Sequence, residues 1–237
     1  MNPKISVLWK HFREHPEGNW VMIWENCREL YKFLRETPNI KRVLDLGTGV
    51  GCTADITAMA LEDKGEDYHI DSLEQFDKCI KIANELIPEE LKKNITIIKS
   101  EAEAWQTELM AYKYFSVYKT VPGWDYDLII QDGPAPWLEE GKYVEIPNGT
   151  ITKAVLEGNL KPGTLIAWDG RLAALRILND TLRDNFYIYK VPAYAGGDFN
   201  VIQRKDNELK FFDQRKEQVR LMGYFDDPKT DTSRSPA

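Results

Sequence analysis

No stretch of this 237-residue chain approaches the roughly 18 consecutive apolar residues that a membrane-spanning helix needs. The first dozen residues hold no sustained apolar run either, which argues against a secretory signal. Cysteine is scarce: Cys27, Cys52 and Cys79 lie far apart and form no C-x-x-C pair. That argues against a zinc site built on paired thiols. The three read instead as small buried hydrophobes in a reducing, cytoplasmic compartment. An excess of positive charge is also missing, with 31 Lys and Arg against 38 Asp and Glu, a formal net charge of −7. General nucleic-acid binding, which needs a basic face, is therefore disfavoured. No internal repeat is present. At 43% hydrophobic, the chain has the composition and length of one large globular α/β domain with a sizeable core.

Glycine supplies the organising feature. Residues 41–52 read K-R-V-L-D-L-G-T-G-V-G-C. Val43, Leu44 and Leu46 predict a buried strand. Gly47, Gly49 and Gly51 then predict a sharp turn that admits positive φ and lets a ligand approach the backbone. Behind it, Cys52, Ile56, Met59 and Ala60 fall at i, i+4, i+7 and i+8, the period of a helix. A helix starting there presents free N–H groups and the positive end of its dipole, which suits an anionic or carboxylate-bearing ligand.

Ahead of this unit, residues 1–19 read as a short N-terminal helix or arm carrying Trp9, His11, Phe12 and His15. A helix is expected from residue 20, with Ile23, Cys27, Leu30 and Leu34 on one face and a stop at Thr37-Pro38-Asn39. A second strand over residues 67–73 ends at Glu74. The helix that follows carries Phe76, Cys79, Ile80, Ala83 and Ile87 and stops at Pro88. A third strand over residues 95–98 is expected to lead into a helix from Ser100 to about residue 109, with Ser100 and Glu103 as a capping box. Residues 112–124 read as an irregular, aromatic segment. A fourth strand, residues 125–131, ends in Asp132-Gly133-Pro134. Then come a loop holding Trp137 and Tyr143, a helix over residues 148–157 ending at Gly158, and a fifth strand over residues 164–168. Asp169-Gly170-Arg171 leads into a helix with Leu172, Leu175 and Leu182 on one face. Strands at 186–191 and 199–204 have no helix between them and are expected to pair antiparallel. Residues 205–222 fit either a further hairpin strand or a helix, and residues 226–237 have the composition of a disordered tail. The sum is a single α/β domain over residues 1–225. Its core is a doubly wound, Rossmann-like seven-stranded sheet, mostly parallel with one antiparallel strand near the C-terminus.

Ligands in such sheets bind at the carboxyl ends of the strands, near the topological switch. Residues 45–51, Glu74, Ser100, Asp132 and Asp169 all fall there. Glu74, 27 residues after Gly47, is placed to accept hydrogen bonds from two ribose hydroxyls; its alternative is a solvated carboxylate at a helix start. Asp132 and Asp169, at the ends of neighbouring strands, can share a divalent cation through oxygen ligands or cap the helices that follow. Tyr112, Tyr114, Phe115, Tyr118, Trp124 and Trp137 are expected to border an acceptor pocket, or else to pack against the sheet edge.

The form D-x-G-x-G-x-G, from Asp45 to Gly51, resembles the first motif of class I S-adenosylmethionine-dependent methyltransferases. The segment L-E-Q-F-D-K-C-I-K-I-A around Glu74 resembles the motif after their second strand. The resemblance spans about residues 20–204 and is nearest in layout to the catechol O-methyltransferase-like small-molecule group. It implies S-adenosyl-L-methionine as cofactor, held by Asp45, Gly47, Thr48, Gly49, Gly51, Glu74, Ser100, Glu101, Ala102 and Asp132. It also implies Asp132 as the catalytic acid–base residue, with magnesium on Asp132 and Asp169 as the metal-dependent variant. In that group a lysine base and an asparagine stand where this chain has Ala135 and Gly170. These departures point to metal-independent or weakly metal-dependent activity, with Arg171 available to balance the acids. Neither N-P-P-Y nor a Pro-Cys pair occurs, which argues against methylation of adenine amino groups or cytosine C5. The expected activity is methyl transfer to a small or medium acceptor, at oxygen, by an enzyme that binds no membrane and is compatible with a homodimer. The rivals are aminopropyl transfer, whose G-G-G-D-G turn is absent; an NAD dehydrogenase, whose G-x-G-x-x-G spacing differs; and a non-catalytic cofactor-binding subunit.

Overall fold

The structure, a computed structural model, describes residues 3–18, 21–107, 114–134, 138–139, 142–143, 147–169, 178, 182–190 and 199–206. Its elements in chain order are α1 (Pro3–Arg13), α2 (Trp24–Glu36), β1 (Arg42–Leu46), α3 (Cys52–Glu62), β2 (His69–Glu74), α4 (Asp77–Leu86), α5 (Glu89–Lys92), β3 (Ile95–Lys99), β4 (Ala102–Gln106), β5 (Tyr114–Tyr118), β6 (Leu128–Gln131), β7 (Leu138–Glu139), β8 (Lys142–Tyr143), α6 (Thr150–Leu156), β9 (Leu165–Asp169), β10 (Phe186–Lys190) and β11 (Phe199–Arg204). Seven strands form one sheet in the order β10-β11-β9-β6-β1-β2-β3. All neighbours are parallel except at β11, which runs antiparallel to both β9 and β10. This is the expected doubly wound sheet with its one reversed strand.

Alternation along β1 divides the core in two. Val43 joins the cluster of Ile5, Phe12, Leu30, Leu34 and Ile56 on one side. Leu44 and Leu46, on the opposite face, join Tyr126, Ile129, Ile151, Val155 and Trp168. On the first side α3 packs against both α1 and α2. Nine of its eleven residues are buried, the polar Thr53, Asp55 and Thr57 among them. Helices α2 and α4 end where the residue before a proline is forced out of the helical region: Thr37 before Pro38 and Ile87 before Pro88 are both extended. Helix α2 starts at Trp24, a few residues later than its periodicity suggested, and leaves Ile23 exposed. Strand β6 is shorter at its start than the expected fourth strand. The reason is Asp127, whose Oδ2 accepts from the backbone N–H groups of Lys41 and Arg42, both at 2.9 Å. No helix among the described residues is long and apolar enough to cross a membrane.

The helix expected from Ser100 is absent. Residues 102–106 form β4 instead, paired antiparallel with β5 from Ala102↔Tyr118 to Gln106↔Tyr114. The supposed capping residues have other partners. Ser100 Oγ donates to the Thr120 carbonyl at 2.6 Å and lies 3.2 Å from the Thr120 N–H, while Glu103 pairs with Lys153 at 3.6 Å. The β-prone run Y-F-S-V-Y offers a ladder partner, and Trp105 packs on Phe115 with ring centroids 5.6 Å apart. Such a tertiary partner overrides the weak helical preference of A-E-A-W-Q. The same pairing corrects the reading of residues 112–124 as irregular. The helix after Asp169 is described only at Leu178 and Leu182, both buried. The readings for residues 207–222 and 226–237 lie outside the described residues.

Phe115 anchors this hairpin. It is fully buried, and a Cβ added at Gly149 would lie 2.5 Å from its Cβ, so the ring rests on bare backbone at the start of α6. Phe115→Ala is expected to lower stability by about 3–5 kcal/mol. The urea midpoint should fall with the slope unchanged; an unaltered midpoint would mean that the hairpin is not part of the cooperative core.

Candidate active site

Where β1 ends, the chain turns through Gly47, Gly49 and Gly51 at φ of +121°, +52° and +101°. Gly47 and Thr48 both donate their N–H groups to the carbonyl of Leu73, at 3.1 and 3.0 Å. On the other side, Asp132 N donates to Leu46 O at 3.0 Å, and Gly133 N donates to the same oxygen. The turn is thus tied both to the end of β2 and to the end of β6. These are the strands flanking β1, and the crevice lies where the strand order reverses. A Cβ at Gly47 would collide with Gly133 N, and one at Gly133 would lie 2.5 Å from Tyr118 Oη. At Gly49 an added Cβ would meet nothing within 4 Å. That glycine leaves a bare, open stretch of backbone facing the crevice.

Glu74 stands beside this opening. It is 4% exposed; Oε2 accepts from Gly49 N at 2.8 Å, and Oε1 from Gln75 N and Phe76 N at 2.8 and 2.9 Å. Burial pushes its pKa up, the three backbone bonds pull it down, and the charge of Asp132 pushes it up again. A carboxylate has about four lone-pair sites, so Glu74 can hold the turn and still accept from a ligand hydroxyl. Asp45 is fully buried beneath the turn. Its Oδ2 accepts from Ser72 Oγ at 2.7 Å, and Ser72 Oγ is 2.6 Å from Thr48 Oγ1. Burial drives the Asp45 pKa up to about 8, opposed by the Ser72 bond and reinforced by the charges of Asp132 and Glu74.

The structure therefore brings Asp45, Gly47, Thr48, Gly49, Gly51, Glu74 and Asp132 together. Ser100 is close behind them, its N–H donating to Glu74 O at 2.9 Å, but its hydroxyl is engaged with Thr120. Glu101 is exposed and pairs with Lys119 at 3.3 Å, and Ala102 opens β4. Asp169 ends β9, which lies next to β6 with Gln131 opposite Trp168, so the two acids occupy adjacent strand ends as expected. The Asp169 side chain and Arg171 lie outside the described residues. Among the described residues no three His, Cys, Asp or Glu side chains are grouped to hold a metal.

The expected aromatic border of the pocket is corrected in part. Of the four rings described, Phe115 is buried in the hairpin, Trp124 packs into the second core and Tyr114 is exposed. Tyr118 alone reaches the crevice, and there it acts as a strut, its Oη donating to Leu73 O at 3.1 Å. Tyr112 and Trp137 lie outside the described residues. His69 sits between Asp71 and Thr96, 3.2 Å from each. The N-terminal arm reaches the edge of the site through Glu17, which pairs with Lys78 at 2.6 Å. Ser72 and Gly133 also belong to the site, although the sequence pattern assigns neither a role, and Tyr118 serves as a strut to the crevice. For Ser72 the sequence signal is a small hydroxyl within an expected buried strand; its place opposite Asp45 comes from the sheet register.

No protein-family model and no curated protein sequence matches the chain. Solved structures do. The SAH-bound methyltransferase PaMTH1 of Podospora anserina is similar with a TM-score of 0.55 at 17% identity, over 87% of this chain and 89% of that one. The O-methyltransferase TomG of Streptomyces achromogenes, solved with SAM, gives 0.51 at 14%, over 87% and 91%. An O-methyltransferase of Bacillus cereus, solved with SAH, gives 0.51 at 11%, over 87% and 92%. The chain has the Rossmann-like methyltransferase fold.

Within this methyltransferase fold the glycine turn rests on helix α3, which buries a second acid. Asp55 is fully buried, and among the described residues neither of its side-chain oxygens has a hydrogen-bond partner. Burial, and then the charge of Glu90, raise its pKa to about 7. Unfolded aspartates titrate near 3.9. Asp45 and Asp55 therefore keep protons in the folded state that the unfolded chain releases. Their contribution to stability is fully present below about pH 4 and is lost as pH rises through 7 and 8. Urea titrations from pH 5 to 8.5 should show stability falling by up to about 1.4 kcal/mol per pH unit for each group. Asp55→Asn should flatten part of that slope. Stability that rises over this range would contradict the burial of these acids.

Proposed function

We propose that the protein is an S-adenosylmethionine-dependent methyltransferase acting on a hydroxyl of a small or medium acceptor. The observation that carries this reading is the open backbone of Gly49, bonded to the buried carboxylate of Glu74 at the switch crevice, with Asp132 close enough for its charge to act on Glu74. When bound, S-adenosylmethionine supplies an electrophilic methyl sulfonium. The residues of the chain do the rest. The bare turn lets the ligand come against the backbone, and Glu74 accepts from the ribose hydroxyls. The crevice between β1 and β6 orients the reactants and limits access of water. Asp132 takes the acceptor proton as the new bond forms. Oxygen as the acceptor atom is supported by two of the similar structures being O-methyltransferases. A reducing compartment such as the cytoplasm suits three cysteines that form no disulfide.

Calorimetry with S-adenosylhomocysteine tests the binding half. The wild-type protein should bind it in preference to NAD, and Glu74→Ala should lose roughly 1.5–3 kcal/mol of affinity. Preference for NAD would sink the assignment. Incubation with methyl-labelled S-adenosylmethionine and cell extract tests transfer; binding without transfer would indicate a non-catalytic subunit. For the chemistry, Asp132→Asn should slow turnover by about 100-fold or more, and a chelator should leave the wild type largely active. Loss of activity with chelator, restored by magnesium, would replace the metal-independent reading with a metal-dependent one. Full activity in Asp132→Asn would remove that residue from catalysis.

A further inference from the structure

We infer that Ser72 is a positioning residue for the cofactor turn, acting through a buried chain of side-chain hydrogen bonds, Thr48–Ser72–Asp45, that joins the turn, β2 and β1. The inference rests on the cofactor assignment proposed above. Strands buried on both faces of a parallel sheet are ordinarily runs of apolar residues, and a buried hydroxyl is costly unless it is hydrogen-bonded. Ser72 has no exposed surface, yet its Oγ lies 2.7 Å from Asp45 Oδ2 and 2.6 Å from Thr48 Oγ1. A hydroxyl has one proton to donate. When Asp45 is ionised, Ser72 donates to it and accepts from Thr48, so both hydroxyl protons run in one direction.

That commitment has two effects. Thr48 lies between Gly47 and Gly49, and its hydroxyl is fixed to β2 just below the point where Gly49 N meets Glu74 Oε2. The turn is thereby clamped by side chains as well as by the two N–H bonds to Leu73 O. Asp45, for its part, is held by one oxygen only; among the described residues Oδ1 is buried without a partner. Removing the Ser72 hydroxyl would leave both oxygens unsatisfied beside the charges of Asp132 and Glu74, the groups that raise its pKa from β6 and β2. The Ser72 bond favours the ionised form of Asp45, so its loss would move that ionisation to higher pH.

The test is calorimetric titration of the full chain with S-adenosylhomocysteine across pH 6 to 9. Ser72→Ala and Thr48→Val should each weaken binding about ten-fold and shift the midpoint of its pH dependence upward. The double variant should be no weaker than either single one, because one chain is broken once. Thr48→Ser, which keeps the hydroxyl, should bind like the wild type. If Ser72→Ala does not fold, the Thr48 pair carries the comparison. Wild-type affinity and pH midpoint in Ser72→Ala, or in Thr48→Val, would overturn the inference, as would additive losses in the double variant. A wild-type protein that does not bind S-adenosylhomocysteine would instead overturn the cofactor assignment itself.

Discussion

The site depends on one close approach of backbone to backbone. Gly47 and Gly133 sit so near each other that a Cβ on either would strike the other's main chain. This contact joins two segments more than eighty residues apart in sequence, the turn after β1 and the turn after β6. It brings Asp132 N onto the carbonyl of Leu46 and sets the width of the crevice. Side chains cannot mediate so short a contact, so glycine is required on both sides. Among the described residues, the open Gly49, the carboxylate of Glu74 and the strut of Tyr118 are arranged around this pinch.

Three acids converge there, which is electrostatically unfavourable. The fold manages each differently. Glu74 is satisfied by three backbone N–H groups and remains an acceptor. Asp45 is sealed from water and keeps its proton near neutral pH. Asp132 stays only half-buried. Three like residues thus acquire three characters from burial and hydrogen bonding alone. The division matches the proposed roles of ligand acceptor, internal support and proton acceptor.

How far the sequence could be read depended on whether the deciding contacts were local. The first strand, the glycine turn and the helix behind it follow from neighbouring residues, and the strand expected around Val43, Leu44 and Leu46 is found from Arg42 to Leu46. Glu74 was legible because its distance from the turn reflects one strand–helix–strand unit. Ser100 misled because its local pattern, serine followed three residues later by glutamate, matches a helix start as well as it matches what is found. The choice was made by Tyr114–Tyr118, a partner that local periodicity does not reveal. Ser72 stayed hidden for a related reason. Its meaning comes from Asp45 on the adjacent strand, and register across parallel strands is set by the whole sheet. The aromatic rings show the same limit, since composition alone does not separate Phe115 in a hairpin core from Tyr118 against the crevice.

Helix α3 carries a consequence for how the molecule moves. It is buried on nearly every side, pressed between the central strands and the pair α1 and α2, so it has little freedom to open on its own. Backbone amides in such an element exchange with solvent chiefly when the whole domain unfolds. The amides that follow Gly51 should therefore be among the slowest in the protein. One wall of the crevice is thereby rigid on the timescale of global unfolding.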